Sequence, residues 1–371
     1  MQVLEKPSFI PSDLAEIASK VIAGERLSRE DGVKLYHSQD LNTIGQLAHL
    51  RRISKAKPGT ENMVWWNTNL HLNPTNVCIA HCSFCAFARL PNEEGAYTMS
   101  IAEATEKAKK GFELGATEVH IVGGLNPKAA LPYYSDLLRS IKTIVPRIHI
   151  KAFTAVEIAF FAKIAKLSFE DVLRRLVEAG LDSMPGGGAE IFAKAVRDDT
   201  CPDKIAAEDW LEIHGIAHQL GLRSNATMLA GIGEDPLDRL DHMLALRAQQ
   251  DKSGGFQTFI PLSCHYEDTE IADQVDPITA IDQIRNIAIG RLMLDNFDHI
   301  KAYWVQLGHQ MAQLALLYGA DDLDGTVVDE RITHAAGSER KGTQAELLQK
   351  IVRSAGFDPV ERDTLYQVVQ R

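Results

Sequence analysis

Asn69-Leu70-His71-Leu72-Asn73-Pro74-Thr75-Asn76-Val77-Cys78-Ile79-Ala80-His81-Cys82-Ser83-Phe84-Cys85-Ala86-Phe87 joins an alternating run to a tight cysteine loop. In the first part Leu70 and Leu72 alternate with Asn69, His71 and Asn73, so an extended strand turns an apolar row to one side and a polar row to the other. In the second part three of the chain's five cysteines, Cys78, Cys82 and Cys85, are spaced C-x3-C-x2-C, which lets one loop bring three thiolates to a single metal centre. The number decides the chemistry. A closed structural zinc site takes four protein ligands, and an electron-transfer cluster is usually held by four cysteines. A cubane held by three keeps one iron open to a ligand. The alternative, a zinc knuckle completed by His81 or a distant residue, would make the chain a zinc-stabilised binding module.

Working outward, residues 67–330 read as short strands alternating with helices. The expected strands are Asn69 to Asn73, Glu118 to Val122, Ile148 to Phe153, Leu181 to Met184, Ser224 to Leu229, Gln257 to Leu262 and His299 to Trp304. Helix starts are expected at Pro132, at Pro236 behind Asp235 and at Pro277 behind Asp276. Repeated βα units imply a parallel sheet. Strands buried between two helical layers should be apolar throughout, yet Val119-His120-Ile121, Ile148-His149-Ile150-Lys151, Ser224-Asn225-Ala226-Thr227 and Lys301-Ala302-Tyr303 alternate. With helices on the apolar side, His71, His120, His149, Asn225 and Tyr303 must point inwards. The expected fold is therefore an α/β (β/α) barrel of the TIM type, closed or nearly closed, with its active face at the C-terminal strand ends, where the cysteine loop lies.

The remaining parts frame this barrel. Residues 1–66 read as an N-terminal helical extension, with starts at Ser12-Asp13, at a Ser28/Asp31 capping box and at Ser38, and a break at Pro58-Gly59. Residues 331–371 read as a C-terminal extension with a helix from about Thr343 to Ala355, packing on the barrel. A length of 371 residues allows two average domains or one large barrel with extensions, and the strand pattern favours the barrel. A net charge of -11 without a basic block argues against nucleic acid and for a small-molecule substrate. No apolar run reaches the roughly 18 residues of a membrane span, and the first residues lack the core of a signal peptide. A soluble, cytoplasmic protein with Cys201 and Cys264 as free thiols is expected.

Three glycine segments close strands. Gly123-Gly124 allows a close ligand approach. Pro185-Gly186-Gly187-Gly188-Ala189-Glu190 precedes an expected helix ending near Arg197; Glu190 either accepts from ribose hydroxyls or complements that helix's dipole. Gly231-Ile232-Gly233-Glu234 leads into a capped helix. The Asp321-Asp322 pair suggests a metal site but matches no EF-hand spacing, and reads as polar substrate contacts or a capped loop.

The cysteine pattern, with Phe84 just before its last cysteine, resembles the signature of the radical S-adenosylmethionine (SAM) enzymes. That resemblance implies a [4Fe-4S] cluster on Cys78, Cys82 and Cys85, whose open iron takes the methionine amino and carboxylate groups of SAM. It also implies cofactor contacts at Phe84, Gly123, Gly124, Glu190, Asn225 and Gly231.

Over nearly the whole chain, Asn73-Pro74-Thr75-Asn76-Val77-Cys78, Gly123-Gly124-Leu125-Asn126-Pro127, Lys151-Ala152-Phe153-Thr154-Ala155-Val156-Glu157-Ile158, Pro185 to Glu190, Lys301-Ala302-Tyr303-Trp304 and Asp324-Gly325-Thr326-Val327-Val328 resemble the aminofutalosine synthases of the futalosine route to menaquinone. The Phe153 to Ile158 stretch separates that family from the pathway's later cyclase and from the deazaflavin-forming enzymes. The family's reaction adds a 5'-deoxyadenosyl radical to 3-[(1-carboxyvinyl)oxy]benzoate, with SAM consumed and a flavodoxin or ferredoxin as electron donor. A substrate with two carboxylates asks for cationic or hydrogen-bonding partners inside the barrel, and Lys151, His149, Arg223 and Lys301 are the candidates. The chain departs from the family at Ile232 and Tyr266, where histidine and proline are usual.

Overall fold

The computed structural model describes residues 11, 13–327, 331–337 and 342–370. Ser12 and Val328, each part of a motif above, lie outside them. All seven expected strands are present. β2 (Asn69–Leu72), β3 (Glu118–Ile121), β4 (His149–Ala152), β5 (Ser183–Met184), β6 (Arg223–Ala230), β7 (Phe256–Ser263) and β8 (His299–Ile300) form one sheet in sequential order. Every neighbouring pair is parallel. Register places His71 beside His120, and His120 beside Lys151, so these residues share one layer of the wall.

The sheet's open side is spanned by a smaller parallel sheet, in which β1 (Met63–Asn67) lies between β9 (Asp322–Gly325) and β10 (Asp358–Glu361). An isolated parallel bridge between Lys301 and Asp322 links β8 to β9, and β1 runs through Thr68 into β2. The wall is thus a curled parallel sheet, nearly closed. The extension read as helical does contain helices at Ala15–Ile22, Arg29–His37 and Leu41–Lys55, but it also supplies β1.

Several local expectations need correction. Lys301 N still donates to Phe259 O of β7 at 2.9 Å, but Ala302 N donates to Asp322 O at 2.8 Å, and a short helix, Trp304–Leu307, begins where strand was expected. The third helix is capped by Asp40 and not Ser38, because Asp40 accepts from both Thr43 N (2.9 Å) and Thr43 Oγ1 (2.7 Å). Thr279, not Asp276, caps Ala280–Met293 through a capping box. The Asp pair serves in ion pairs: Asp321 meets Arg291 at 2.7 Å and His299 at 2.8 Å, and Asp322 meets Arg362 at 2.6 Å.

The extension is tied to the barrel through buried polar groups as well as apolar contact. The Ser28/Asp31 capping box is present, with Asp31 N on Ser28 Oγ at 3.2 Å and Ser28 N on Asp31 Oδ2 at 2.8 Å. At the far end of that helix, buried Arg285 donates to Leu35 O (3.1 Å), Tyr36 O (3.4 Å) and Ser38 O (2.8 Å), satisfying carbonyls that have no partner within the helix. Replacing Arg285 by alanine should therefore cost about 2 kcal/mol or more. Urea unfolding should show a lower midpoint with an unchanged slope. An unchanged midpoint would mean that water replaces the guanidinium at no cost.

Candidate active site

At the C-terminal strand ends a cavity of about 360 Å³ opens, lined at one end by Cys78, Cys82 and Cys85. The loop that carries them is fixed by backbone. Cys78 N donates to Arg89 O at 2.9 Å, Arg89 N to Asn76 O at 2.9 Å, and Cys85 N to Cys82 O at 2.9 Å. The Asn76 side chain clasps the same hairpin, donating to Gly95 O (3.0 Å) and accepting from Tyr97 N (2.7 Å). Gly124 has to be glycine. A Cβ there would stand 2.3 Å from Val77 O and 3.0 Å from Cys78 Cβ, so the end of β3 and the cysteine loop meet backbone to backbone.

Burial pushes the Cys78 thiol up and the Cys82 thiol up to about 12. Three thiols facing one cavity, with Phe84 among them, fit a [4Fe-4S] cluster, whose irons would supply the positive charge that draws off those protons. Lys204 reinforces the field. It pairs with Glu190 and its ammonium lies 5.1 Å from the Phe84 ring centre. Burial works against its charge, but Glu190 and Cys82 hold its pKa above the ordinary lysine range.

The opposite end of the cavity is polar. Lys151 Nζ meets Glu118 Oε2 at 2.7 Å, Lys301 Nζ meets Asp324 Oδ1 at 2.8 Å, and the rings of His71 and His120 lie 4.7 Å apart. Burial drives the Lys151 pKa down against the pull of Glu118. Burial raises the Glu118 pKa, but the charge and hydrogen bond of Lys151, with the Thr364 hydroxyl, outweigh it and hold that carboxyl below the usual carboxylate range. His120 is held neutral, first by burial and then by the neighbouring His71 and Lys151.

Of the residues expected at the site, Cys78, Cys82, Cys85, Phe84, Gly123, Gly124, Glu190, Asn225, Lys151 and Lys301 all line this cavity. Three expected residues do not. Arg223 and His149 are the first residues of β6 and β4, at the end of a parallel wall opposite the cavity mouth. The Arg223 side chain is exposed and donates to Gly254 O at 2.6 Å, while His149 Nε2 sits 2.8 Å from Ser183 Oγ. Gly231 forms a turn, its N donating to the Glu234 carboxylate at 2.9 Å. The triple glycine starts no helix; the next one is Lys194–Thr200, so Glu190 complements no helix dipole. Gly186 instead allows contact with β6, since a Cβ there would be 2.8 Å from Asn225 O and Thr227 N. Ile232 and Tyr266 lie outside the cavity wall, which leaves its lining untouched by either departure.

Sequence reasoning missed Lys204, Glu118, Glu157 and Asp324 as cavity residues. Glu118 was accessible through alternation with His120; Lys204 sits in a loop with no signal. Glu157 is the last residue but one of the most distinctive stretch, Phe153 to Ile158. Phe153, at φ 62, turns the chain out of β4 and packs its ring 5.2 Å from Tyr134 and 5.4 Å from Phe161. Thr154 then caps helix Ala155–Ala165, and Glu157 returns to accept from Thr154 N (2.8 Å), Thr154 Oγ1 (2.9 Å) and Gly123 N (3.1 Å). Burial nevertheless pushes the Glu157 carboxyl up from 4.5 to about 7.

That shift fixes a pH dependence. Between pH 4.5 and about 7 the folded chain keeps a proton on Glu157 that the unfolded chain has lost, so this group's contribution to stability falls as pH rises through that window and is flat above it. In the absence of SAM, the thermal midpoint of Glu157→Gln should gain on that of the unaltered chain across the window. A constant offset from pH 4 to 8 would show that the carboxyl titrates normally.

Comparison with known proteins agrees with this geometry. The radical SAM superfamily model matches residues 72–246, and that of the CofH/MqnC C-terminal region matches residues 253–371. The chain is 45% identical to the aminodeoxyfutalosine synthase of Thermus thermophilus over 100% of its own length and 98% of that protein's. It is 42% identical to the 5-amino-6-(D-ribitylamino)uracil--L-tyrosine 4-hydroxyphenyl transferase of Methanopyrus kandleri over 81% and 83% of the two chains. In fold it resembles the crystal structure of methylornithine synthase (PylB), with a TM-score of 0.73 at 17% identity, covering 92% of this chain and 96% of that one. A three-thiol loop at the mouth of a nearly closed parallel wall, and identity sustained from end to end, place the chain in the aminodeoxyfutalosine synthase family of radical SAM enzymes.

Proposed function

We propose that this enzyme joins the adenosyl carbon of SAM to 3-[(1-carboxyvinyl)oxy]benzoate, with loss of one carboxylate as carbon dioxide, to form 6-amino-6-deoxyfutalosine for menaquinone synthesis. The observation that carries this reading is the polarity of the cavity, with three thiols at one end and two lysine–carboxylate pairs with two histidines at the other. When bound, the cluster and SAM supply the 5'-deoxyadenosyl radical. The protein places the reactants and excludes quenchers.

In this reading Cys78, Cys82 and Cys85 hold the cluster, Phe84, Gly123, Gly124, Glu190 and Asn225 line the SAM site, and Lys151 and Lys301 face the substrate's carboxylates. Glu157 takes the methionine amino group. The other cavity carboxylates, Glu118, Glu190 and Asp324, each hold a lysine, whereas Glu157 accepts only from backbone and hydroxyl donors among the described residues. A flavodoxin or ferredoxin would supply the electron, in the cytoplasm; no helix among the described residues is long and apolar enough to cross a membrane. The division into residues 1–66, 67–330 and 331–371 remains our proposal for the chain's parts.

The rival reactions of this group differ in product. The anaerobically reconstituted enzyme, given SAM, reductant and the benzoate substrate, should yield aminodeoxyfutalosine and free methionine with little 5'-deoxyadenosine by mass spectrometry. 5'-Deoxyadenosine without the joined product would overturn the assignment and point to the cyclase or to a deazaflavin-type enzyme. Lys151→Met should raise the KM for the benzoate about tenfold or more, with the electron paramagnetic resonance of the cluster unchanged. An unaltered KM would remove Lys151 from the substrate site.

A further inference from the structure

Both lysines at the polar end of the cavity are held, through their carboxylates, by one short segment at the far end of the chain. Glu118 Oε2 accepts from Lys151 Nζ at 2.7 Å and also from Thr364 Oγ1 at 2.7 Å. All three residues are buried, none more than 3% exposed. On the other side Asp324, the partner of Lys301, has its backbone N bonded to Asp322 Oδ1 at 2.6 Å. The second oxygen of Asp322 accepts from Arg362 Nε at 2.7 Å and from Tyr366 OH at 2.6 Å.

The segment is itself locked in place. Arg362 N donates to Trp66 O at 2.9 Å, the Arg362 guanidinium lies 4.3 Å from the Tyr366 ring centre, and that ring stacks on His299 at 3.7 Å. Glu118 and Asp322 are the first residues of β3 and β9, so the segment closes the end of the wall opposite the cysteine loop.

We infer that the Arg362–Tyr366 segment is a positioning element that fixes the two lysines relative to each other and thereby selects a ligand with two carboxylates. Thr364 and Tyr366 touch no reactant; they act through Glu118 and through Asp322 with Asp324. The inference rests on the proposed placement of Lys151 and Lys301 at the substrate. A buried carboxylate that loses one of its hydrogen-bond donors turns to satisfy itself elsewhere, and the ammonium it holds moves with it. A dicarboxylate, which needs both ammonium groups at a set spacing, is more sensitive to that movement than a monocarboxylate, which needs one.

The test uses the reconstituted enzyme with SAM bound and compares equilibrium binding of 3-(carboxymethoxy)benzoate, which has two carboxylates, with that of benzoate, which has one. Thr364→Val and Tyr366→Phe should each lower the preference for the dicarboxylate about tenfold, with SAM affinity and the cluster's resonance unchanged. Thr364→Ser, which keeps the hydroxyl, should restore the preference. Were the segment only a structural plug, the valine variant would lose thermal stability while its folded fraction kept the full preference, and the inference would fall. The outcome is separable from that of the product assay. Loss of preference in an enzyme making no aminodeoxyfutalosine would uphold the positioning role and reject the reaction, and full preference in an active enzyme would do the reverse.

Discussion

A barrel whose inner wall carries lysines and carboxylates holds together only if each buried charge meets its opposite. Breaking such a pair on one side costs roughly 3 to 5 kcal/mol, because the remaining charge is stranded out of water. Here the rule governs several layers at once: Lys151 on Glu118, Lys301 on Asp324, Lys204 on Glu190, Arg362 on Asp322 and Arg291 on Asp321. Such pairs contribute little net stability against an apolar core of equal volume. Their consequence is positional, since a lysine bonded at 2.7 Å to a carboxylate on the next strand cannot wander through its rotamers.

The same pairing explains why the small sheet is needed. The seven-stranded sheet leaves an open side between β8 and β2, and the acids that neutralise its last cations stand on β9 or just before it. Asp321, Asp322 and Asp324 would be poor strand residues by propensity. They occupy this position because Arg291, Arg362 and Lys301 face them, and the strand pairs with β1 on its other side. Electrostatics overrides propensity here, and in doing so closes the wall.

That override marks the boundary of what the sequence discloses. The strands β2 to β8 were legible because their alternation is a period-two pattern that survives any partner, and the cluster loop was legible because three cysteines at that spacing have few other uses. The wall residues that alternation put inside, His71, His120, Asn225 and Tyr303, do line the cavity. Alternation fixes the face and not the depth, however, and charge fixes neither, so His149 and Arg223 were grouped with Lys151 as candidate cations although both stand at the starts of their strands. β10, with Pro359 and two acidic residues, carries no strand signal of its own and exists because β1 offers an edge. Lys204 is the extreme case, placed by a loop between two helices and visible only once Glu190, Phe84 and Cys82 have been brought around it.

Depth along the wall also separates the chemistry. His120 and Lys151 share a layer, and Gly124, against the cysteine loop, lies four residues beyond His120 on the same strand and its continuation. Four residues span at most about 13 to 14 Å. The cluster-binding end and the carboxylate-binding end of the cavity are therefore near enough for two bound ligands, one at each, to meet in the middle. The middle section is bounded by less polar groups, Val122, Val156, Leu229, Ile260 and Leu262 among them. A carbon-centred radical generated there would find apolar side chains on its flanks and the substrate in its path, which is the arrangement that a reaction joining two carbon atoms without quenching requires.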